Sequence, residues 1–263
     1  SQGYLKLNKV EILVLDEADH MLDLGFAKDI SDLVDKIPGR RQTLFFSATI
    51  NPTIKKQAYQ MVGSGAIRIQ VSPKDPVSKN VDHQMVFVEM DDKRFFLQRL
   101  LQENSDKKFL VFVRTKVRAE RVKKAMERAD IDTLTIHGDK EQDDRETALL
   151  AFRAGACRIM IATDVTARGI DIDGIDFVVN YDLPDVAENY VHRVGRTGRG
   201  RAKGKAVSFC AKEEKEYLSA IEEYTTVPIK RAMVTKGEYS ETVDLADDGK
   251  DDWKSLMKQE PVK

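Results

Sequence analysis

The sequence predicts an α/β fold built from parallel sheets. Short aliphatic runs alternate along the chain with segments of helical periodicity, which is the pattern of consecutive βα units. The first run, residues 10–15, ends directly in Asp16 and Glu17. A strand of this kind delivers its final side chains to the sheet edge where open α/β folds bind ligands. Two such series of elements, separated by a proline-containing stretch, indicate two domains.

The length and composition are those of a soluble globular protein. At 263 residues, with 41% hydrophobic and 33% charged residues, the chain can form one large or two medium domains. No run approaches eighteen apolar residues, and the N-terminus lacks a basic segment followed by an apolar one. We therefore expect neither a membrane span nor a signal peptide, and a cytoplasmic location.

The two cysteines, Cys157 and Cys210, lie beside or within strand-like runs and form no Cys-x-x-Cys pair. We expect buried, reduced thiols, and neither a metal site nor a disulfide.

The net charge of -1 argues weakly against a nucleic-acid partner, but the distribution of charge overrides the total. The sequence after Gly237 is rich in Asp and Glu, and a basic patch and an acidic tail can cancel in the sum. The predicted basic patch comprises Arg193, Arg196, Arg199, Arg201, Lys203 and Lys205.

The first series occupies residues 1–71. After the strand at 10–15 we predict a helix at 26–37, a strand at 43–46 and a helix that begins with Asn51 as cap and Pro52 as its first residue. Residues 66–71 complete the block. About three strands are too few for an independent doubly wound sheet, so we expect the C-terminal part of a domain. Residues 72–80 contain two prolines and no apolar periodicity, and predict a linker.

The second series, residues 81–231, predicts a complete parallel-sheet domain, and residues 232–263 predict a polar, flexible tail. In that tail Trp253, Leu256 and Met257 could form one docking turn. Predicted strands in the second series are 83–89, 109–113, 133–136, 158–162, 177–180 and 206–210, and predicted helices are 93–103, 117–129, 142–153, 188–194 and 213–224.

The segment Asp16-Glu17-Ala18-Asp19 carries the clearest chemical signal. Asp16 could hold Mg²⁺ and Glu17 could polarise a water; alternatively, these acids only cap the following helix. A phosphate loop needs the pattern Gly-x-x-x-x-Gly-Lys-Ser/Thr. The nearest approach to it, residues 200–206, fails in spacing and in its final residue. The chain thus contains half of a nucleotide site.

Three further segments give the tetrad its context. They are Ser47-Ala48-Thr49, residues 161–171 and residues 192–199, the last reading His-Arg-Val-Gly-Arg-Thr-Gly-Arg. With these segments in this order, the chain closely resembles the DEAD-box family of ATP-dependent RNA helicases from about Leu5 to about Ile229. The sequence around the tetrad is similar to the bacterial RhlE-type branch.

The resemblance implies two RecA-like domains, the first only partly present and the second complete, with ATP, Mg²⁺ and RNA bound across the cleft between them. The adenine-recognition motif, the phosphate loop and the RNA-contacting segments that precede the tetrad in the family are missing. It therefore implies an ATPase and RNA helicase in the parent protein, and a fragment that is inactive alone.

The resemblance also implies roles for individual residues. Asp16 and Glu17 would hold Mg²⁺, partly through water, and Glu17 would orient the attacking water. Arg196 and Arg199 would be arginine fingers; a solvated basic helix face is the alternative. Gly169 and Asp171 would contact the nucleotide, unless Asp171 is a plain loop carboxylate. Residues that would couple hydrolysis to RNA binding are Asp19, Ser47, Thr49 and His192, although the hydroxyls could simply bond to backbone.

For RNA, the resemblance implies backbone contacts that are sensitive to salt and indifferent to sequence. Arg114 could instead be a surface charge, and Gln142 with Arg145 an ordinary helical pair. The candidate RNA-binding residues are Arg114, Thr115, Gly138, Gln142, Arg145, Thr163 and Arg168.

Two other functions compete with this interpretation. For the 263 residues themselves, a non-catalytic RNA-binding or protein-docking module is the alternative. A DNA helicase of the same superfamily is disfavoured because the tetrad reads Asp-Glu-Ala-Asp and not Asp-Glu-x-His. We expect a monomer, with a possible protein partner at the tail and no membrane contact.

Overall fold

A computed structural model describes residues 6–23, 25–47, 52–63, 65–70, 77–164, 172–200 and 202–247. The chain divides into two compact units, Ser1–Val71 and Ser72–Lys263. Each unit is described by itself.

The first unit contains a small parallel sheet. Strands β1 and β2 pair in parallel, with Ile12 opposite Gln42 and Leu15 opposite Phe45. The elements are β1 (Ile12–Leu15), α1 (Ala18–Asp23), α2 (Ala27–Val34), β2 (Gln42–Phe45) and α3 (Pro52–Val62). The core beside the sheet consists of Leu13, Leu15, Ala18, Ile30 and Ile37.

Two expectations for this unit are wrong in the described residues. The mostly aliphatic run at residues 10–15 predicts a buried parallel strand, but Ile12 and Val14 of β1 are 57% and 52% exposed because the apolar cluster of this unit covers only the Leu13 face. Residues 65–70 form no strand, and their Ile67 and Ile69 are 90% and 83% exposed. An alternating apolar pattern forms a strand only where another strand satisfies its backbone groups.

The second unit is a parallel α/β sheet flanked by helices. All pairs in its sheet are parallel, in the order β5-β6-β4-β7-β8-β3-β9. Its elements are β3 (Val81–Phe87), α4 (Lys93–Glu103), β4 (Phe109–Phe112), α5 (Lys116–Arg128), β5 (Leu134–Ile136), α6 (Gln142–Arg153), β6 (Ile159–Ala162), β7 (Phe177–Asn180), α7 (Ala187–Val194), β8 (Gly204–Cys210), α8 (Lys215–Thr225), β9 (Lys230–Arg231) and α9 (Lys236–Asp247).

The central strands are buried on both faces. Every residue of β4, β6 and β7 is buried, which explains why their sequences are continuous apolar runs and do not alternate. One hydrophobic cluster, including Phe112, covers one face, and a second, including Phe109, covers the other.

Backbone hydrogen bonds continue past the ends of these strands. Val113 N donates to Ala162 O at 3.0 Å, Tyr181 N to Phe112 O at 2.9 Å, and Thr163 N to Ile136 O at 3.4 Å. Because the strands are parallel, the segments that follow β4, β5, β6 and β7 lie along a single edge, the carboxyl edge of the sheet.

The prediction of a flexible tail from residue 232 is wrong up to residue 247, where the structure has α9. Thr235 and Glu238 form a capping box at its start, with Thr235 N to Glu238 Oε2 at 2.8 Å and Glu238 N to Thr235 Oγ1 at 3.2 Å. Helix α9 is polar and lacks an apolar stripe, so its sequence does not predict a helix packed against the core. The proposed docking turn at Trp253, Leu256 and Met257 lies outside the described residues.

Helix α9 is attached to the rest of the unit through Thr242, whose Oγ1 accepts from Arg99 Nη1 at 2.6 Å, and through Tyr239. Its ring centroid lies 5.0 Å from that of Phe96. Its hydroxyl donates to Asp92 Oδ2 at 2.7 Å and accepts from Glu89 N at 3.0 Å. Burial and the hydrogen bond to Asp92 raise the pKa of the Tyr239 phenol to about 12. The phenol therefore stays protonated, and keeps donating to Asp92, throughout the physiological pH range.

The two cysteines differ in their surroundings. Both have free thiols. Cys210 is buried, and burial raises the pKa of its thiol to about 11. Cys157 is only half-buried, which corrects the expectation for this residue: it precedes β6 in a turn at the amino edge of the sheet, where the layers end.

No helix among the described residues combines the length and the apolar character that spanning a bilayer requires.

We predict that Tyr239→Ala lowers the free energy of unfolding of the second unit by about 2–3 kcal/mol, because it removes a packed ring and leaves the Asp92 and Glu89 hydrogen bonds unmade. Urea denaturation measures the effect. Met233→Ala is the control: Met233 is 94% exposed, and its loss should change stability by less than about 0.5 kcal/mol. Equal stability of the Tyr239 variant and the wild type would contradict this account of α9.

Candidate active site and RNA interface

The acidic tetrad begins where β1 ends. Asp16 is exposed, and its Oδ1 accepts a hydrogen bond from Glu17 N at 2.9 Å. The backbone of Glu17 has φ of 49°, a left-handed conformation that is uncommon outside glycine. Such conformations cost free energy and concentrate at functional sites. The turn leaves Asp16 accessible to a ligand and Glu17 half-buried beside it.

Asp19 and Ser47 lie at the same end of this sheet. Asp19 is 5% exposed in the first turn of α1. The backbone joins the two segments, because Phe46 N donates to Leu15 O at 2.7 Å and Ala18 N donates to Phe46 O at 3.0 Å. Ser47, the next residue, therefore follows β2 at the carboxyl edge that also carries the tetrad. Thr49 lies outside the described residues.

Carboxylate oxygens are the ligands that Mg²⁺ prefers, so the exposed Asp16 carboxylate beside Glu17 fits that ion chemically. The described residues contain no group of three or more His, Cys, Asp or Glu side chains arranged to hold a metal by themselves.

The predicted arginines of the second unit lie just beyond α7. We call residues 195–200 the arginine loop. Arg196 Nε donates to His192 O and Arg199 Nε donates to Gly195 O, each at 3.3 Å, and both side chains are half-buried. Helix α7 ends at Val194, so these arginines are not a solvated helix face. His192 lies in the last turn of α7 and is half-buried.

Arg193 is not part of a surface patch, contrary to the sequence-based expectation. Its side chain is 1% exposed and forms a two-pronged ion pair with Asp164, with Nε–Oδ1 at 2.6 Å and Nη2–Oδ2 at 2.7 Å. Its Nη1 donates to Asn180 Oδ1 at 3.2 Å and to Asp182 O at 2.8 Å. The pair ties α7 to the segment after β6. The sequence analysis did not predict that Arg193 and Asp164 form a buried pair. The spacing of Arg193 three residues after the buried Tyr190 places both on the inner face of α7, and this was the available indication.

A second buried charge cluster surrounds Glu214, which is 1% exposed. Its Oε2 accepts from Lys93 Nζ at 2.5 Å and from Ala211 N at 3.0 Å. Its Oε1 accepts from Arg114 Nη2 at 2.9 Å and from Leu183 N at 3.2 Å. All four donors are thus shared between the two oxygens of one carboxylate.

Asp182 extends this cluster. It accepts from Arg114 N at 3.1 Å and lies 3.6 Å from Lys93 Nζ and 3.4 Å from Arg118 Nε. Sequence reasoning missed Lys93, Asp182 and Glu214, because they come from three distant segments and none belongs to a recognisable motif.

Arg114 is held by this cluster and still reaches solvent. Its side chain is 33% exposed, and its guanidinium carbon lies 4.9 Å from the ring centroid of Tyr217. A carboxylate on one side and a ring on another fix the guanidinium and leave donors for a ligand. Arg114 is therefore more than a loose surface charge.

The other RNA candidates have varied environments. Thr115 caps α5, with its Oγ1 accepting from Arg118 N at 3.1 Å. Gly138 is exposed. Arg145 Nη1 donates to Gln142 Oε1 at 3.2 Å, which is the ordinary helical pair offered as the alternative. Thr163 is half-buried after β6. Arg168, Gly169 and Asp171 lie outside the described residues.

Glu120 bonds to two residues at the end of β5, just before Gly138. Its Oε1 accepts from Thr135 Oγ1 at 2.8 Å and contacts His137 Nε2 at 2.8 Å. Burial alone would raise the pKa of Glu120, but these hydrogen bonds outweigh burial and lower it. The carboxylate is thus ionised at neutral pH and secures the end of β5.

Sequence comparison identifies known proteins and family models that this chain resembles. Residues 1–57 match the family model described as DEAD/DEAH box helicase, and residues 92–201 match that of the helicase conserved C-terminal domain. The ATP-dependent RNA helicase RhlB of Shewanella amazonensis is 38% identical over 225 residues, 85% of this chain and 51% of the relative. The ATP-dependent RNA helicase CshA of Listeria monocytogenes is 40% identical over 221 residues, 84% of this chain and 42% of the relative.

Solved structures agree with the sequences. Dbp5 of S. cerevisiae, bound to RNA and ADP BeF3, matches with a TM-score of 0.77 and 31% identity over 93% of this chain and 64% of that chain. The E. coli DEAD-box protein SrmB, bound to the regulator of ribonuclease activity A, matches with a TM-score of 0.56 and 30% identity over 60% of this chain and 92% of that chain. The chain belongs to the DEAD-box helicase family.

Membership of the DEAD-box family confirms the recognition made from the sequence, and the parallel sheets are of the RecA-like type, as predicted. The chain spans about half the length of the RhlB and CshA relatives it matches. Assignment to an RhlE-type branch stays a prediction. The arginine loop and the Arg193–Asp164 pair therefore differ in burial: Arg196 and Arg199 are half-buried, whereas Arg193 is buried and holds α7 to the segment after β6.

We predict that Arg193→Ala destabilises the second unit by about 3–5 kcal/mol, because it leaves the Asp164 carboxylate without its partner. Chemical denaturation monitors the change. Arg196→Ala is the matched control: it removes a half-buried arginine three residues away and should cost less than about 1 kcal/mol. Similar costs for the two variants would show that Arg193 belongs to a surface patch after all.

Proposed function

We propose that the whole protein couples ATP hydrolysis to local separation of RNA duplexes. One observation carries the proposal: this DEAD-box chain contains both the carboxylates and the arginines that phosphoryl transfer requires, the carboxylates just after β1 and the arginines just after α7. The two units would contribute different parts of one reaction.

Asp16 and Glu17 would supply the carboxylate part. Asp16, exposed after β1, would hold Mg²⁺, with Glu17 helping partly through water. When bound, Mg²⁺ neutralises charge on the phosphates. Glu17 would also orient the attacking water and accept its proton, and the left-handed turn at φ of 49° would fix the direction of its carboxylate.

Arg196 and Arg199 would supply the cationic part. Phosphoryl transfer spreads negative charge over the γ-phosphate oxygens, and guanidinium groups stabilise that charge. Their hydrogen bonds to the backbone oxygens of His192 and Gly195 hold both side chains close to the carboxyl end of α7 and restrict their motion. We also propose a ribose contact from Asp171, a nucleotide contact from Gly169, and coupling to RNA through Asp19, Ser47, Thr49 and His192.

RNA would bind along the carboxyl edge of the second sheet. Arg114, Thr115, Gly138 and Thr163 follow β4, β5 and β6 there, near Gln142 and Arg145 at the start of α6. Arg168 completes the proposed set. Dbp5 has been solved with RNA and ADP BeF3, which supports ligands of the same two kinds here. A backbone reader of this type has little sequence preference.

We further propose that the 263 residues alone do not hydrolyse ATP, because their sequence contains no phosphate loop. For this chain by itself, the second candidate function is therefore a non-catalytic RNA-binding or protein-docking module. SrmB, a structural relative, is solved with a protein regulator, which supports a protein partner as the docking candidate. Hydrolysis by the chain alone, stimulated by RNA, would contradict the proposed inactivity.

We predict that Glu17→Gln in the whole protein slows RNA-stimulated ATP hydrolysis by about 10²–10⁴-fold, because the amide cannot accept the proton of the attacking water. RNA affinity, followed by fluorescence anisotropy, should not change. Glu11→Gln is the matched control: Glu11 is an exposed glutamate just before β1, at the other end of the strand. Wild-type turnover by the Glu17 variant would refute the assignment.

A comparison of nucleic acids tests the DNA-helicase alternative. Stronger stimulation of ATP hydrolysis by DNA than by RNA would favour it.

We predict that Arg114→Ala weakens binding of single-stranded RNA to this chain by about tenfold and lowers the slope of log affinity against log salt by about one, because one phosphate contact is lost. Arg231→Ala is the matched control, since Arg231 is 38% exposed and also forms an ion pair, at 2.8 Å from Glu222. An unchanged salt slope for the Arg114 variant would remove it from the RNA interface.

A further inference from the structure

Asn80 lies in the turn that precedes β3. The turn is closed by hydrogen bonds from Val81 N to Ser78 O at 2.9 Å and from Asn80 N to Ser78 Oγ at 3.3 Å. Val77 and Val81, on either side, are 5% and 6% exposed and belong to the core of the second unit. The backbone of Asn80 is therefore fixed to the sheet.

Asn80 contacts the end of the arginine loop, 120 residues away in the sequence. Its Nδ2 donates to Gly200 O at 2.9 Å, and its own backbone oxygen accepts from Gly204 N at 2.9 Å. Gly200 is the last residue of the loop and Gly204 the first of β8. Asn80 thus bonds to the last residue of the arginine loop and to the first residue of the strand that follows it.

The loop also packs against this turn without spare room. Gly198 has φ of +67°, and a Cβ on it would lie 2.7 Å from Val81 Cγ2 and 3.1 Å from Asn80 O. The first distance is shorter than real Cβ atoms show and the second is tight, and the positive φ also favours glycine at this position. The loop backbone is therefore in close contact with Asn80 and Val81.

Thr197 provides the other attachment of the loop. Its Oγ1 donates to Ile175 O at 2.5 Å and lies 3.2 Å from Asp176 O. A Cβ on Gly204 would overlap this hydroxyl, so Thr197 and the start of β8 are also in close contact. Arg196 precedes and Arg199 follows this central attachment, and Asn80 holds the end beyond Arg199.

We propose that Asn80 is a positioning residue for Arg199 and, through the loop, for Arg196. The inference rests on the proposed function, in which these guanidinium groups act on the γ-phosphate. Preorganised donors are effective because they need no reorganisation as charge develops, and small misplacements cost large factors in rate. Gly200 is exposed, has φ of +61° and, as a glycine, has no side chain that could anchor it. The hydrogen bond from Asn80 fixes its position.

The first test is kinetic and uses the whole protein. Asn80→Asp keeps the size of the side chain but cannot donate to Gly200 O. We expect the kcat of RNA-stimulated ATP hydrolysis to fall about tenfold, while the KM for ATP, RNA affinity and the melting temperature stay at wild-type values. Asn104→Asp is the matched control, because Asn104 Nδ2 donates to a backbone oxygen, Leu100 O, at 2.9 Å at the end of α4. An unchanged kcat, or a kcat loss accompanied by an equal change in KM or by a lower melting temperature, would overturn the inference.

The second test needs no ATP and uses this 263-residue chain. Trypsin cleaves after arginine, and the cleavage rate of a folded protein reports local opening. Asn80→Ala should accelerate cleavage after Arg196 and Arg199 by about fivefold or more, whereas Asn104→Ala should not. Equal loop cleavage in the Asn80 variant and wild type would overturn the inference.

Variants of the arginines separate this inference from the proposed function. If Arg196→Ala and Arg199→Ala leave ATP turnover unchanged, the proposed function fails. If they abolish turnover while Asn80→Asp behaves as wild type, only the role of Asn80 fails.

Discussion

The carboxylate of Glu214 is the interaction on which the carboxyl edge of the second sheet depends. A carboxylate that is 1% exposed must be fully paired, and this one takes donors from four segments: Lys93 after β3, Arg114 after β4, Leu183 after β7 and Ala211 after β8. Since no single segment supplies enough donors, the buried charge is tolerated only when all four strand ends are in their native places. The same carboxylate orients the arginine that we assign to RNA, so scaffold and interface share one charge.

Burial divides the arginines of one short segment into different kinds. Arg193 points inward from α7 and pairs with Asp164 at 2.6 and 2.7 Å, whereas Arg196 and Arg199 lie beyond the helix and remain half-buried. The inner arginine fixes the direction of the helix, and the outer ones depend on that direction. Asp164 follows β6, next to Thr163, so the Arg193–Asp164 pair joins the segment of the nucleotide candidates to that of an RNA candidate.

The sequence predicted most elements of the second unit and the edge on which the site residues lie, because buried parallel strands are continuous apolar runs bounded by polar residues. It could not predict α9, which is attached through Tyr239 and Thr242 and not through an apolar stripe. Nor could a count of basic residues show that Arg193 points inward, or an apolar run show that Ile12 is exposed. Lys93, Asp182 and Glu214 meet only in the folded chain. Asp16, Glu17, Arg196 and Arg199 could be proposed from the sequence because each lies in a short contiguous motif.

The two outermost strands of the seven-stranded sheet, β5 and β9, contain only three and two residues. An open sheet edge can recruit a strand from another molecule, and long, flat, apolar edges are the ones that nucleate aggregates. Here the β9 edge consists of exposed Lys230 and Arg231, and charged side chains on an edge strand disfavour the addition of a strand from a second copy. The sheet thus keeps its most apolar strands in the centre and has a short strand at each border. Neither outermost strand is long enough to act as an extended template for strand addition.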